Sequence, residues 1–244
     1  MGKRLPEQKD FPSSIKLSIV PPPNSKPATN ILLLLHGLGD TNASFTQLGK
    51  NLNLPETACV SIQAPKTLLD LGGFHWGDDI IFDGSAAGLD ADGGFKESNA
   101  LLRAVVEDVL VAKCEYVARE VLMFGFGQGG MAALSSAASL HDTSSAELGG
   151  VISIGAGLPS EAPAALIAKC KTPVLICAGS DNSAVALGTE DKLSRVFEHV
   201  EVRRYRKPGD SMPSNRDEMM PIMQFLSRRL KSTAGVPEGS VEIG

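Results

Sequence analysis

The sequence predicts an α/β fold with a mostly parallel, doubly wound sheet and helices on both faces, and three observations predict it. Continuous apolar runs typical of strands buried on both faces recur along the chain, as at 31–37 (ILLLLHG) and 173–179 (PVLICAG). Stretches with apolar residues at helical spacing alternate with these runs. The chain has 244 residues, 43% hydrophobic and 21% charged, which suits one domain with a sizeable core.

The strand and helix signals alternate along the whole chain. Strands are predicted at 14–20, 31–37, 58–65, from 121 into a glycine cluster, and at 150–157, 173–179 and 201–207. Helices are predicted at 43–52, 96–117, from 128 onward, and at 164–169, 190–200 and 215–231. We find no internal repeat, so the elements belong to one continuous α/β unit.

These elements place a single domain at residues 14–231. Residues 1–13 are polar and contain prolines, which predicts a loose N-terminal arm, and 232–244 are expected to form a flexible tail. Residues 66–94 are rich in glycine and aspartate and contain the only tryptophan. So long an irregular stretch inside a compact domain is typically functional or mobile, and we expect a lid-like segment there.

Charge and cysteine usage exclude several classes of protein. The net charge of -5 argues against nucleic-acid binding, which normally shows as a basic excess. The four cysteines lack C-x-x-C or other metal-ligand spacing, so we expect buried free thiols, no metal site and no cofactor. We see no signal-peptide pattern and no apolar run long enough to cross a bilayer, and we expect a cytoplasmic protein, with the nucleus as the alternative.

Residues 121–134, VLMFGFGQGGMAAL, have the pattern of a strand that turns sharply into a helix. A nucleophile elbow has this shape and the motif G-x-S-x-G, with the serine held out at the turn. Here the motif is Gly125-Phe126-Gly127-Gln128-Gly129, so glycine stands where the nucleophile belongs.

Several segments together resemble the acyl-protein thioesterase and carboxylesterase family of α/β hydrolases, with the closest likeness to a fungal branch. The segments are LLLLHGLGDTNASF, VSIQAP, the Trp-Gly-Asp stretch, GFGQGGMAAL, GVISIGAGLP and TPVLICAGSDNSAV. Their order and spacing, from about residue 31 to 230, are more specific than any one segment. The resemblance implies an α/β-hydrolase fold and the chemistry of carboxylic esters and thioesters.

The resemblance also implies where a Ser-Asp-His triad should lie, in that chain order. The family's serine falls on Gly127. Its aspartate lies three residues after the glycine that ends the next-to-last strand, which gives Asn182, with Asp181 as the choice if the register shifts by one. Its histidine heads a segment after the last strand and falls on Asp210. All three roles are therefore degenerate, which predicts a pseudoenzyme.

Each replacement removes a different part of the mechanism. Gly127 has no side-chain oxygen and cannot form an acyl intermediate, although glycine suits a strained elbow better than serine. Asn182 could still hydrogen-bond a histidine but could not stabilise an imidazolium electrostatically. Asp210 is a poor match for a general base. We expect none of the four histidines, including His141 at a helix end, to take over the catalysis.

The binding machinery of the family is expected to survive in part. The oxyanion hole of this fold uses backbone N–H groups, which by the family's pattern belong to Leu38 and Gln128. Three aromatic residues of the irregular segment, Phe74, Trp76 and Phe82, either line an acyl groove or anchor the long loop to the core. Both alternatives stay open at the level of sequence.

Three functions follow as alternatives. The first is a catalytically inactive homologue that binds an acyl or lipid-like small molecule or a lipidated protein. The second is a weakly active ester or thioester hydrolase in which Asp210 acts as base on a water. The third is a scaffold or interaction protein. A homodimer is compatible with the family, whereas nucleic acid and integral membrane association are not expected.

Overall fold

Seven strands form the central sheet of the protein in the computed structural model, which describes residues 3–23, 28–68, 72–83, 88–233 and 235. The side chains at 81–83, 88 and 89 lie outside that description. The strands are β1 (Leu17–Val20), β2 (Asn30–Leu35), β3 (Thr57–Ile62), β8 (Val121–Phe126), β9 (Gly150–Ile154), β10 (Val174–Ala178) and β11 (Val200–Arg204). Their order across the sheet is β1-β3-β2-β8-β9-β10-β11.

The sheet is parallel except for β1, which pairs antiparallel with β3 at one edge. Every residue of β2, β3, β9 and β10 is buried. These strands are covered on both faces, which explains why their sequences are mostly apolar rather than alternating, with the buried polar residues Asn30, Thr57, Ser61 and Ser153 as exceptions. The predicted mostly parallel sheet is confirmed.

Helices cover both faces of this sheet, as a doubly wound fold requires. They are α1 (Asn42–Leu52), α2 (Lys96–Ala104), α3 (Gln128–Ser144), α4 (Thr189–Val196) and α5 (Arg216–Arg229). One apolar cluster joins α2, α3 and α4 to one face of the sheet. A second cluster joins α1 and α5 to the opposite face. No helix of the described ranges is long and apolar enough to cross a membrane.

The irregular segment predicted at 66–94 contains two small antiparallel hairpins. In the first, β4 (Lys66–Thr67) pairs with β5 (Phe74–His75). In the second, β6 (Ile81–Asp83) pairs with β7 (Gly88–Asp90). The segment leads into α2, and the long helix predicted at 96–117 changes at Val105 into a π-helical stretch that ends at Val111.

The helix predicted at 164–169 is absent from the structure. Its backbone instead runs beside the end of α4: the Leu166 N–H donates to the Arg195 carbonyl oxygen at 3.2 Å, and the Cys170 N–H to that of Val196 at 2.8 Å. These backbone groups find partners in another element, so the helical propensity of the segment is overridden. The predicted helix at 190–200 likewise ends early, at Val196.

The N-terminal arm is docked on the domain over residues 3–13, contrary to the prediction of a loose segment. Phe11 is only 5% exposed and belongs to the main apolar cluster. The Arg4 guanidinium makes two hydrogen bonds of 2.7 Å to the Asp10 carboxylate, and the Lys113 ammonium donates to the Asp10 carbonyl oxygen at 2.8 Å. Burial of one aromatic ring and this pairing fix the arm to the π-helical side of the domain.

Candidate active site

The strand-to-helix turn at Gly127 has the backbone of a nucleophile elbow. β8 ends at Phe126, α3 begins at Gln128, and Gly127 between them has φ 51° and ψ −121°. Its N–H donates to the Ile154 carbonyl oxygen at 2.8 Å, and its carbonyl accepts from the Gly130 N–H at 2.8 Å. These bonds hold residue 127 at the carboxyl end of the sheet in a conformation that side chains rarely adopt.

The surrounding glycines are required by close packing, whereas Gly127 is not. A Cβ on Gly125 would lie 2.2 Å from the Gly129 carbonyl oxygen, and one on Gly129 would lie 2.3 Å from that of Leu35. At position 127 a Cβ would have no described atom outside its own chain neighbours within 4 Å. The turn therefore keeps an open position of the kind that a nucleophile side chain would occupy.

One of the two predicted oxyanion-hole amides belongs to this turn, and the other lies in the turn after the neighbouring parallel strand β2. Gln128 follows Gly127 directly, and Leu38 lies half-buried in the turn after β2. That turn is fixed by the Gly39 N–H, which donates to the Phe74 carbonyl oxygen at 2.9 Å. No described residue accepts a hydrogen bond from the backbone N–H of Leu38 or of Gln128.

The Gln128 side chain connects the elbow to the irregular segment. Its Oε1 accepts from the Trp76 backbone N–H at 2.8 Å, and its Nε2 donates to the Ala91 carbonyl oxygen at 2.9 Å. Trp76 is fully buried, and its indole N–H donates to the His36 carbonyl oxygen at 2.8 Å. This geometry supports the anchoring alternative for Trp76, because a fully enclosed ring has no surface left for a ligand.

The other two aromatic candidates are placed differently. Phe74 is half-buried and packs against the main apolar cluster, and it keeps one exposed side. The side chain of Phe82 lies outside the described part of the chain. A groove-lining role therefore stays a prediction for Phe74 and Phe82.

His36 is a structural residue of the β2 turn. Its Nε2 accepts from the Ala64 N–H at 3.0 Å, so the proton lies on Nδ1, which donates to the Gly37 carbonyl oxygen at 2.7 Å. Burial lowers the pKa of this histidine below its usual range and keeps the ring neutral. Both ring nitrogens are occupied, so His36 cannot serve as a base at Gly127.

Asp210 lies beside the elbow but is bound to the loop that follows β10. A Cβ on Gly155 would lie 2.5 Å from the Asp210 Cβ, and residue 155 directly follows the Ile154 carbonyl that binds the elbow. The Asp210 carboxylate accepts from the Gly179 N–H at 2.9 Å and from the Ala184 N–H at 2.7 Å. The structure therefore brings Asp210 and Gly127 to the same edge of the sheet.

Asn182 and Asp181 are both exposed, and within the described structure neither side chain hydrogen-bonds the Asp210 carboxylate. Asn182 has φ 50°, and the Asp181 carboxylate accepts from the neighbouring Ser180 hydroxyl at 2.9 Å. The side chain that contacts Asp210 is Ser183, whose hydroxyl donates to Oδ1 at 2.8 Å. No sequence signal distinguishes Ser183 from its neighbours, because the loop geometry alone decides which side chain faces residue 210.

The cysteines offer no replacement nucleophile. All four are free and buried, as the sequence predicted. Burial raises the pKa of Cys177 to about 11 and that of Cys59 to about 12. The thiolate is the reactive form, so these thiols are inert at neutral pH.

Known proteins resemble this chain over most of its length. A family model described as phospholipase/carboxylesterase matches residues 17–230. An uncharacterized hydrolase of Schizosaccharomyces pombe is 28% identical over 207 residues, which cover 82% of this chain and 83% of that protein. Acyl-protein thioesterase 1 of Debaryomyces hansenii is 25% identical over 225 residues, 85% of this chain and 94% of the thioesterase.

A solved structure shows the same fold. The crystal structure of Zea mays acyl-protein thioesterase 2 superposes with a TM-score of 0.62 at 24% identity, covering 88% of this chain and 99% of the maize protein. At this level of identity the likeness establishes the α/β-hydrolase fold and leaves the chemistry to the residues of the site.

Proposed function

Because the chain belongs to the phospholipase/carboxylesterase family of α/β hydrolases, we propose that it binds acyl ligands in the site of those hydrolases without carrying out their serine chemistry. The observation that carries this proposal is the elbow itself. Gly127 has the φ/ψ of the turn and open space beside it, yet no atom that could attack a carbonyl.

The state of Asp210 supports the loss of catalysis. A general base must reach the proton that it removes, and here both carboxylate oxygens accept hydrogen bonds from the loop after β10. These donors fix the carboxylate toward Ser183 and Ala184. The alternative function, a hydrolase in which Asp210 activates a water, would require the carboxylate to leave these partners.

The ligand class follows from the donors that remain. The backbone N–H groups of Leu38 and Gln128 are free to bind an oxygen that carries negative charge, such as a fatty-acid carboxylate, or the carbonyl of a thioester. Backbone donors that the fold holds in place can bind such an oxygen without reorganising. The names of the thioesterase relatives agree with an acyl ligand.

The proposal predicts binding without turnover. We expect no hydrolysis of a short-chain aryl ester or a palmitoyl thioester above buffer, and no labelling by a serine-directed fluorophosphonate. Palmitate should bind measurably by calorimetry. An active acyl-protein thioesterase serves as the positive control for both assays.

A matched pair of variants locates the binding. Gly127→Leu fills the open space at the elbow and should abolish palmitate binding. Gly188→Leu carries a similar backbone strain, at φ 94° in equally open space before α4, and should bind as the unmodified chain does. Turnover without probe labelling that is lost in Asp210→Asn would contradict the proposal and favour the serine-free hydrolase.

A further inference from the structure

Three potential metal ligands meet at the far end of α3 from the elbow. They are His141 in the last turn of that helix, Glu147 in the loop that follows, and Cys170 in the extended segment before β10. One ligand atom from each lies within 4.8 Å of the others. The residues are 6 and 23 positions apart, so no spacing motif reveals them in the sequence.

The hydrogen bonds of His141 fix how its ring faces the cluster. Its Nε2 lies 2.9 Å from the Ala168 carbonyl oxygen, which can only accept, so Nε2 carries a proton. The other nitrogen, Nδ1, lies 2.8 Å from the Glu147 Oε1. A neutral ring and an ionised carboxylate would then place two lone pairs against each other. A positive species between them removes that repulsion, and it is either a proton or a metal ion.

The third ligand favours a metal. The Cys170 sulfur is fully buried and lies 3.5 Å from the Glu147 Oε2. Zinc bonds of about 2.0 Å to oxygen and about 2.3 Å to sulfur place such a pair about 3.5 Å apart around one tetrahedral ion. His141 contacts the other carboxylate oxygen, Oε1, at 2.8 Å, so a shared ion would require Glu147 to bind through both oxygens or to turn, with the three ligand atoms closing in from within 4.8 Å of one another.

The surroundings have the features of an outer coordination shell. Metal-binding histidines commonly donate their second N–H to a backbone carbonyl, as His141 does to Ala168. Ligating carboxylates are commonly hydrogen-bonded as well, and the Thr172 hydroxyl lies 3.2 Å from the Glu147 Oε2. The Leu148 N–H donates to that hydroxyl at 2.8 Å and fixes its position.

We propose that His141, Glu147 and Cys170 bind one divalent transition-metal ion of the zinc class, with a fourth position open to solvent. The mixed nitrogen, oxygen and sulfur donors suit zinc. They do not suit calcium or magnesium, which prefer oxygen ligands alone. The side chains of His141 and Glu147 are 14% and 30% exposed, which gives the ion a path from solvent. The inference does not depend on the function proposed for the elbow.

The ion would link the extended segment before β10, which has no helix, to the end of α3. Ala168 belongs to the segment 164–169, where the predicted helix is missing, Cys170 directly follows that segment, and His141 belongs to the elbow helix. The ion would fasten that segment to α3. From position 127 to position 141 the helix rises about 20 Å, at about 1.5 Å per residue, so the ion lies far from the elbow.

Zinc binding to the tag-free, chelator-treated full chain tests the site by calorimetry, with cobalt absorption as a second readout. We expect one zinc per chain, and a cobalt–thiolate charge-transfer band that disappears in Cys170→Ser. Glu147→Gln and His141→Ala should each weaken zinc binding by about a hundredfold or more, because losing an outer-shell partner alone typically costs about 10–100-fold.

His199→Ala is the matched control, because His199 is an exposed histidine outside the cluster. It should bind zinc as the unmodified chain does. Glu147→Gln keeps the volume of the side chain, so it still tests the site if Cys170→Ser does not fold. No zinc binding, or binding that survives all three cluster variants, overturns the proposal and leaves a proton between His141 and Glu147.

Discussion

The glycines of the elbow are there for two different physical reasons. Gly125 and Gly129 leave no room for a Cβ because backbone carbonyls lie just above 2 Å from where it would stand. Gly127 has room, and only its positive φ favours glycine. The sequence predicted the turn from the glycine cluster, but it could not separate these two reasons, since close approach between β2 and α3 is a property of the folded chain.

Alanine substitutions at 127 and 129 distinguish the two reasons. Gly127→Ala should lower the free energy of unfolding by about 1–2 kcal/mol through backbone strain alone. Gly129→Ala should lower it by more than about 3 kcal/mol, because its Cβ would meet the Leu35 carbonyl at 2.3 Å and the backbone must shift. Urea unfolding followed by circular dichroism measures both. Equal losses in the two variants would mean that the backbone around Gly129 can shift at little free-energy cost.

At the scale of elements, buried strands were the most predictable parts of the fold. β10 lies within its predicted run, and β2 lies within its run from its second residue onward, because a strand covered on both faces is made mostly of apolar residues. The segment 164–169 was predicted wrongly, since its backbone partners come from α4 and lie about 30 residues further along the chain. Local pattern carries no information about such long-range hydrogen bonds.

The loop from Gly179 to Ala184 depends on a side chain from another element. Asp210→Asn keeps one oxygen but turns an amide N–H₂ toward one of the two backbone donors that the carboxylate now satisfies. We expect a loss of about 1–3 kcal/mol in the free energy of unfolding. Asp181→Asn is the control, because Asp181 is an exposed carboxylate on the same loop. It should change the free energy of unfolding by less than about 0.5 kcal/mol.

Chemical denaturation of these two variants measures that difference at neutral pH. A similar small effect in both would show that Asp210 is not what orders the loop. The result matters for function as well, because a carboxylate that holds a loop is not free to activate water.

Across the whole molecule, the three positions that the family resemblance assigns to a triad all follow strands that end at the carboxyl edge of one sheet. Gly127 follows β8, Ser183 and Asn182 follow β10, and Asp210 follows β11. Ligand sites in open α/β sheets lie at this edge, so sequence reasoning could predict that the segments converge. The sequence could not show whether Asp181, Asn182 or Ser183 faces position 210, because the conformation of the loop alone decides which side chain points there.

Rebuilding the triad tests which of these residues occupies the orienting position. We expect Gly127→Ser alone to stay unlabelled by fluorophosphonate, since a serine without a base is a weak nucleophile. Adding Asp210→His should give weak labelling, because a histidine there lies at the same sheet edge as residue 127. A third change, Ser183→Asp, should raise ester turnover by at least about tenfold, given that an orienting carboxylate contributes up to about 10⁴-fold in serine hydrolases.

The same double variant with Asn182→Asp in place of Ser183→Asp is the matched comparison. It adds the same charge one residue away, on a side chain that has no contact with position 210 in the described structure. If Asn182→Asp raises turnover and Ser183→Asp does not, the register implied by the family resemblance is correct and the loop rearranges when histidine replaces Asp210. If only Ser183→Asp raises it, the hydrogen bond between Ser183 and Asp210 marks the place that an orienting aspartate would occupy.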